Sequence, residues 1–113
     1  MSFISEEKGD VLIEKLNLKR PGTKEAGELK SLLLDKISNG TKKILIDLNS
    51  CEYMNSSFLG TIIFIYKRLS ESGGQLKLVA SQTEIKILLE ITGVDKFIEA
   101  YGTKREALKS FKK

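Results

Sequence analysis

The sequence predicts an α/β domain. It reads as one unit over residues 1–113, built on a mixed, mostly parallel sheet of four to five strands with about four helices and an N-terminal β-hairpin. Three observations carry this reading. Strand-like apolar runs alternate with segments of helical period, which implies parallel strands joined by helical crossovers. The stretch Lys42-Lys43-Ile44-Leu45-Ile46-Asp47-Leu48-Asn49 is short, rich in branched aliphatics and almost continuously apolar, the pattern of a strand covered on both faces. Lys8-Gly9-Asp10 separates two strand-like runs and carries a turn signal.

Taken in order, residues 3–6 and 11–16 form the hairpin strands. Pro21-Gly22 then breaks the chain, and Thr23 is expected to cap a helix by accepting a free backbone N–H. Ala26, Leu29, Leu33 and Ile37 share one face of that helix, and Gly40 stands where a left-handed C-terminal cap belongs. The apolar strand of residues 42–49 follows, then a helix that opens at Asn55 and ends at Gly73-Gly74. Gln75-Leu76-Lys77-Leu78-Val79-Ala80 supplies the next strand. Ser81 and Glu84 have the spacing of a capping box for a third helix, which presents Ile85, Leu88, Leu89 and Thr92 on one side and stops at Gly93. A short strand is expected over residues 97–100, and Thr103 with Glu106 forms a second capping box for a last helix carrying Ala107, Leu108 and Phe111.

Composition excludes several chemistries. With no histidine and a single cysteine, Cys51, the chain lacks the usual ligands of a zinc site, an internal disulfide partner and an imidazole base. No glycine-rich phosphate loop follows any strand. Asp47 has no second carboxylate beside it in sequence, so a magnesium-assisted phosphoacceptor cluster is not indicated. No lysine lies at short spacing from Ser56 on the same helical face to make a Ser–Lys pair. The reading is a protein that is not an enzyme, with no cofactor and no metal. The net charge is +4, but lysines are dispersed among fifteen acidic residues, and only residues 103–113 are locally basic. No aromatics interleave with those charges to stack on bases, so direct DNA binding is not expected. No apolar run approaches the roughly 20 residues of a membrane span. The N-terminal residues lack the basic and long apolar regions of a signal peptide. A cytoplasmic domain without membrane insertion is the expectation.

Attention then falls on Asn55-Ser56-Ser57. Asparagine is among the best N-cap residues, and one reading of the triplet is simply a well-capped helix with small polar residues at its start. The other uses the same geometry. A helix N-terminus carries free N–H groups and partial positive charge, so a phosphate on Ser56 is tolerated there while changing which surface can dock. Along the helix, Leu59, Ile62, Ile63, Tyr66 and Leu69 make an apolar arc extended at its edge by Phe58 and Ile65. Phe64 falls outside this arc, either covered by a neighbouring element or exposed for a partner.

At these residues the sequence resembles the STAS domain family, whose best-known members are bacterial anti-sigma-factor antagonists. The family pattern is an apolar strand ending in Asp-Leu, a short loop, and Asp-Ser-Ser/Thr-Gly-Leu-Gly opening a helix. Here it reads Ile44-Leu45-Ile46-Asp47-Leu48, then Tyr53-Met54-Asn55-Ser56-Ser57-Phe58-Leu59-Gly60. The segments Gly73-Gly74-Gln75-Leu76-Lys77-Leu78-Val79-Ala80 and Leu88-Leu89-Glu90-Ile91-Thr92-Gly93-Val94-Asp95-Lys96-Phe97 extend the likeness. Three departures stand out: Asn55 replaces an aspartate, Phe58 replaces a glycine, and Leu18-Lys19-Arg20-Pro21 replaces a Gly-x-Leu-Asp segment.

The resemblance implies a non-enzymatic partner-switching protein with a STAS-like fold. It implies Ser56 as phosphoacceptor, with Ser57 as the alternative, and Asn55, Ser56, Ser57, Phe58 and Phe64 as the docking surface. The implied partners are an anti-sigma factor with serine kinase activity and a phosphatase. Two alternatives accompany it. One is a constitutive STAS subunit of a membrane lipid transporter or signalling scaffold, not phosphorylated; the other is a small-nucleotide-binding STAS domain.

Overall fold

The computed structural model describes residues 2–111. Its elements are β1 (Phe3–Lys8), β2 (Val11–Leu16), α1 (Thr23–Ser38), β3 (Lys43–Asp47), α2 (Ser56–Glu71), β4 (Gln75–Val79), α3 (Thr83–Thr92), β5 (Ala100–Tyr101) and α4 (Lys104–Ser110), with one 3-10 turn at Val94–Lys96. The strands lie in the order β1-β2-β3-β4-β5. β1 runs antiparallel to β2, and every later neighbour is parallel. The hairpin is tight: Lys8 pairs with Val11 across Gly9-Asp10, and Gly9 takes φ +61°, a conformation that glycine adopts without a Cβ penalty. The expected α/β architecture, hairpin included, is the observed one.

Side-chain alternation along the strands builds two cores. Leu12, Leu16, Ile44, Ile46, Leu76 and Leu78 point to one face, where they meet Leu29 and Leu33 of α1, Ile62 and Ile65 of α2 and Ile85 and Leu89 of α3. Val11, Ile13, Leu45 and Val79 point to the other, under Ala107 of α4 and Phe111. Helices on both faces explain why β3 reads as a continuous apolar run rather than an alternating one.

Four local expectations need correction. The cap of α1 is Gly22, not Thr23; the Glu25 carboxylate reaches back to accept the Gly22 N–H at 2.9 Å, which holds its carboxyl below the usual glutamate range. The cap of α3 is Gln82, because the Ser81 hydroxyl and N–H both donate to Asn49 Oδ1, at 2.8 and 3.0 Å. The last strand is Ala100–Tyr101 rather than residues 97–100: after the 3-10 turn Ile98 is sealed in the larger core, and pairing with β4 begins at Glu99, whose carbonyl accepts the Leu78 N–H at 2.9 Å. The buried face of α2 comprises Phe58, Leu59, Ile62, Ile65 and Leu69, so it is turned toward the two residues placed at the edge of the arc, while Ile63 and Tyr66 are partly buried. The Thr103 hydroxyl does cap α4, accepting the Glu106 N–H at 3.1 Å. Lys112 and Lys113, the end of the basic tail, lie outside the described residues.

Candidate functional site

β3 ends at Asp47, whose Oδ1 accepts the Asn49 N–H at 3.0 Å and turns the chain out of the sheet. The loop then runs to α2 over two buried anchors, Cys51 and Met54. Between them Glu52 and Tyr53 bond to the loop before α1, both N–H groups donating to the Lys19 carbonyl, at 2.8 and 3.2 Å. Burial pushes the Cys51 thiol up to about 11, and its Sγ donates to the Tyr53 carbonyl at 3.3 Å, so it is a packing residue and not a thiolate nucleophile at neutral pH.

Asn55 closes the loop as the N-cap of α2, its Oδ1 accepting the Phe58 N–H at 3.0 Å. Ser56 and Ser57 are therefore the first two helical residues, and both are exposed. Their backbone N–H groups belong to the first turn, where no preceding helical carbonyl can accept them, so the site carries the positive end of the α2 dipole. The start of α1 stands beside the start of α2: Thr23 Oγ1 donates to Ser57 Oγ at 3.4 Å, and a Cβ at Gly22 would lie 3.5 Å from Asn55 Nδ2. Around them are Tyr53, half exposed with the Arg20 guanidinium 5.8 Å from its ring centroid, and the exposed pair Lys19–Glu52 at 4.0 Å.

Of the five residues expected to form a docking surface, the structure brings Asn55, Ser56 and Ser57 together. It does not bring Phe58, which is 0% exposed and belongs to the core; its bulk points inward, away from any visitor. Phe64 lies eight residues along the helix, about 12 Å from Ser56 at the helical rise. Its ring is half buried between Lys30 Nζ of α1, 4.4 Å from the centroid, and Arg68 at 5.3 Å, so it packs the α1–α2 seam. Lys19, Arg20, Thr23 and Tyr53 are the exposed residues that stand around the start of α2 instead. Three of them come from the preceding loop and the start of α1, more than thirty residues away in sequence, and only the polar Lys19-Arg20 break in the third departure marks them in the sequence. Among the described residues no group of three histidine, cysteine or acidic side chains is placed to hold a metal.

The cap is worth measuring. Asn55→Ala is expected to cost about 1 kcal/mol in urea unfolding, whereas Asn55→Asp keeps the acceptor and should be neutral or slightly stabilising at the dipole's positive end. Equal stability of the alanine variant and the parent would remove Asn55 from its capping role.

Against this geometry stand the comparisons. The STAS domain family model matches residues 23–107, which take in α1 through the start of α4. An anti-sigma factor antagonist of Thermotoga maritima is 31% identical over 77 residues, 68% of either chain. The anti-sigma-B factor antagonist of Staphylococcus aureus is 31% identical over 67 residues, 59% of this chain and 62% of that one. A crystal structure of a Thermotoga maritima anti-sigma factor antagonist superposes with a TM-score of 0.92 at 29% identity, covering 98% of this chain and 95% of the other.

Proposed function

The chain belongs to the STAS domain family, and from that premise we propose that it is an anti-sigma factor antagonist that exchanges partners according to the phosphorylation state of Ser56. Unphosphorylated, the open end of α2 docks on an anti-sigma factor that is also an ATP-dependent serine kinase, which frees a sigma factor. Phosphate on Ser56 ends that contact, and a phosphatase restores it. The protein itself performs no catalysis: it supplies a substrate hydroxyl and a surface, and works in the cytoplasm with its partners.

One observation carries this reading: the Ser56 side chain is exposed at the first helical position of a helix whose cap is held by Asn55, so a kinase can reach it without unfolding anything. The first-turn N–H groups and the dipole favour the anionic product there. Ser57 is the lesser acceptor, because its Oγ already accepts from Thr23. The relatives named as antagonists support this class over a constitutive transporter subunit. Among the described residues no helix is long and apolar enough to cross a membrane.

Intact-mass measurement after incubation with the cognate kinase and ATP tests the assignment. One added phosphate on the parent chain, retained by Ser57→Ala and lost in Ser56→Ala, is expected. Absence of phosphate on the parent chain would leave the constitutive reading in place.

A further inference from the structure

Away from Ser56, one side chain on β2 is unexplained by packing. Glu14 is 0% exposed and faces the same side of the sheet as Leu12 and Leu16, its neighbours two residues away on the strand, which both belong to the larger core. The Ser5 hydroxyl on β1 donates to Glu14 Oε1 at 2.7 Å, while Oε2 has no partner among the described residues. A buried carboxylate oxygen without a donor is costly, and native structures rarely leave one without reason. Burial pushes the group above the ordinary glutamate range, overcoming the Ser5 bond and the Lys36 charge, which both act to lower it.

Glu14 helps to line a groove of about 510 Å³ between β1 and α1, with Phe3, Ser5, Lys24, Glu28 and Leu32 among its other walls. That volume is in the range of small-ligand sites. The groove's charges are two carboxyl groups against one ammonium, and Lys24 lies 4.0 Å from Glu28 as an exposed i,i+4 pair. Phe3 and Leu32 give apolar walls suited to a methylene chain. A lone carboxylate with a hydroxyl beside it is too poor an oxygen set for a divalent cation, which takes six or more ligands, and among the described residues no three-residue acidic cluster exists to supply them.

We propose that this groove binds a small alkylammonium, its –NH3+ donating to Glu14 Oε2 and its chain lying along Phe3 and Leu32. The ammonium pairs with the carboxylate form of Glu14 and keeps its own protons, and any proton that Glu14 carries in the free protein leaves to solvent. The site is independent of Ser56.

Titration of the full chain with cadaverine tests it, read by calorimetry in buffers of different ionisation enthalpy and by amide NMR shifts. Saturable binding is expected, with shifts at Phe3, Ser5 and Glu14, and with an affinity that rises with pH as Glu14 ionises. Lys24, Glu28 and Lys36 are the other charged groups facing or acting on the site. Glu14→Gln keeps the shape in neutral form. Its melting temperature should match or exceed that of the parent at neutral pH, because rising pH favours the unfolded chain wherever the native carboxyl is still protonated and the unfolded one is not. Its affinity for cadaverine should fall at least about tenfold. A second probe, Nα-acetyl-lysinamide, separates the sources: tighter binding than cadaverine assigns the ammonium to a protein lysine, weaker binding to a free polyamine. No saturable binding of either probe, or undiminished binding by Glu14→Gln, overturns the proposal.

Discussion

Phe58→Ala is expected to lower the unfolding free energy by about 3–5 kcal/mol, the usual cost of deleting a fully buried phenyl group. Phe58 is among the largest side chains with no exposed surface, and it shares the larger core with Leu48, Met54 and Ile62. A domain of this size has only about 5–15 kcal/mol of stability in total. Since each kcal/mol is worth about 4–8 °C in a domain near 100 residues, the melting temperature should fall by well over 10 °C. Phe58→Leu, which keeps most of the volume, should lose about 1.5 kcal/mol or less. The pair of variants also separates core from docking roles. A core residue predicts that Phe58→Leu binds the partner as the parent does. A docking residue predicts that Phe58→Ala melts normally and binds poorly, and that outcome would contradict the burial. The glycine that the family pattern has at this position makes the point sharper: here the helix start is anchored by a phenyl group inserted beneath it, so Phe58→Gly should be at least as damaging as the alanine change, with about 1 kcal/mol added by glycine in a helix.

How far the sequence disclosed this arrangement depends on the range of the interactions. β2, β3 and β4 were legible because apolar runs and turn residues are local signals, and α2 began at Ser56 as Asn55 foretold. The misses come from partners distant in sequence. Ser81 has the spacing of a cap, yet its hydroxyl is engaged by Asn49, thirty-two residues earlier. Residues 97–100 look like a strand, but a 3-10 turn directs Ile98 into the core and delays the pairing. Phe58 and Ile65 sat at the edge of the periodic arc because periodicity measures only the helix, while the buried face is decided by where β3, β4 and α1 lie. The exposure of Ser56 followed from its cap. Its neighbours Lys19, Arg20 and Thr23 did not, because the loop before α1 reaches the site only through tertiary bonds such as those to the Lys19 carbonyl. Glu14 carries no local signal of burial in the sequence; it is buried because α1 covers the face it shares with Leu12 and Leu16.

Ser56→Asp is expected to weaken binding of the anti-sigma factor about 100-fold or more without loss of fold. Within the isolated domain, a carboxylate in the first turn of α2 meets free N–H groups and the positive end of the dipole, which stabilises it by about 0.3–1 kcal/mol. The melting temperature should thus hold or rise slightly. In the proposed complex, the same carboxylate would lie within the contact, where it would have to shed water and face whatever charge the partner presents. A misplaced or like charge in an interface costs several kcal/mol, and each 1.4 kcal/mol is a tenfold loss of affinity. Phosphate, with between about −1.5 and −2 charges, should act more strongly than aspartate. Lys19 and Arg20 do not cancel this effect, because the Lys19–Glu52 pair is exposed and such pairs contribute about 0–1 kcal/mol. Ser57→Asp, one residue along and beside Thr23, serves as the positional control and should lose less affinity than Ser56→Asp. Calorimetric titration of the parent chain and both variants into the purified partner, with melting curves on the same samples, reads every arm. Tight binding by a well-folded Ser56→Asp variant would mean that the open end of α2 is not the surface the partner uses.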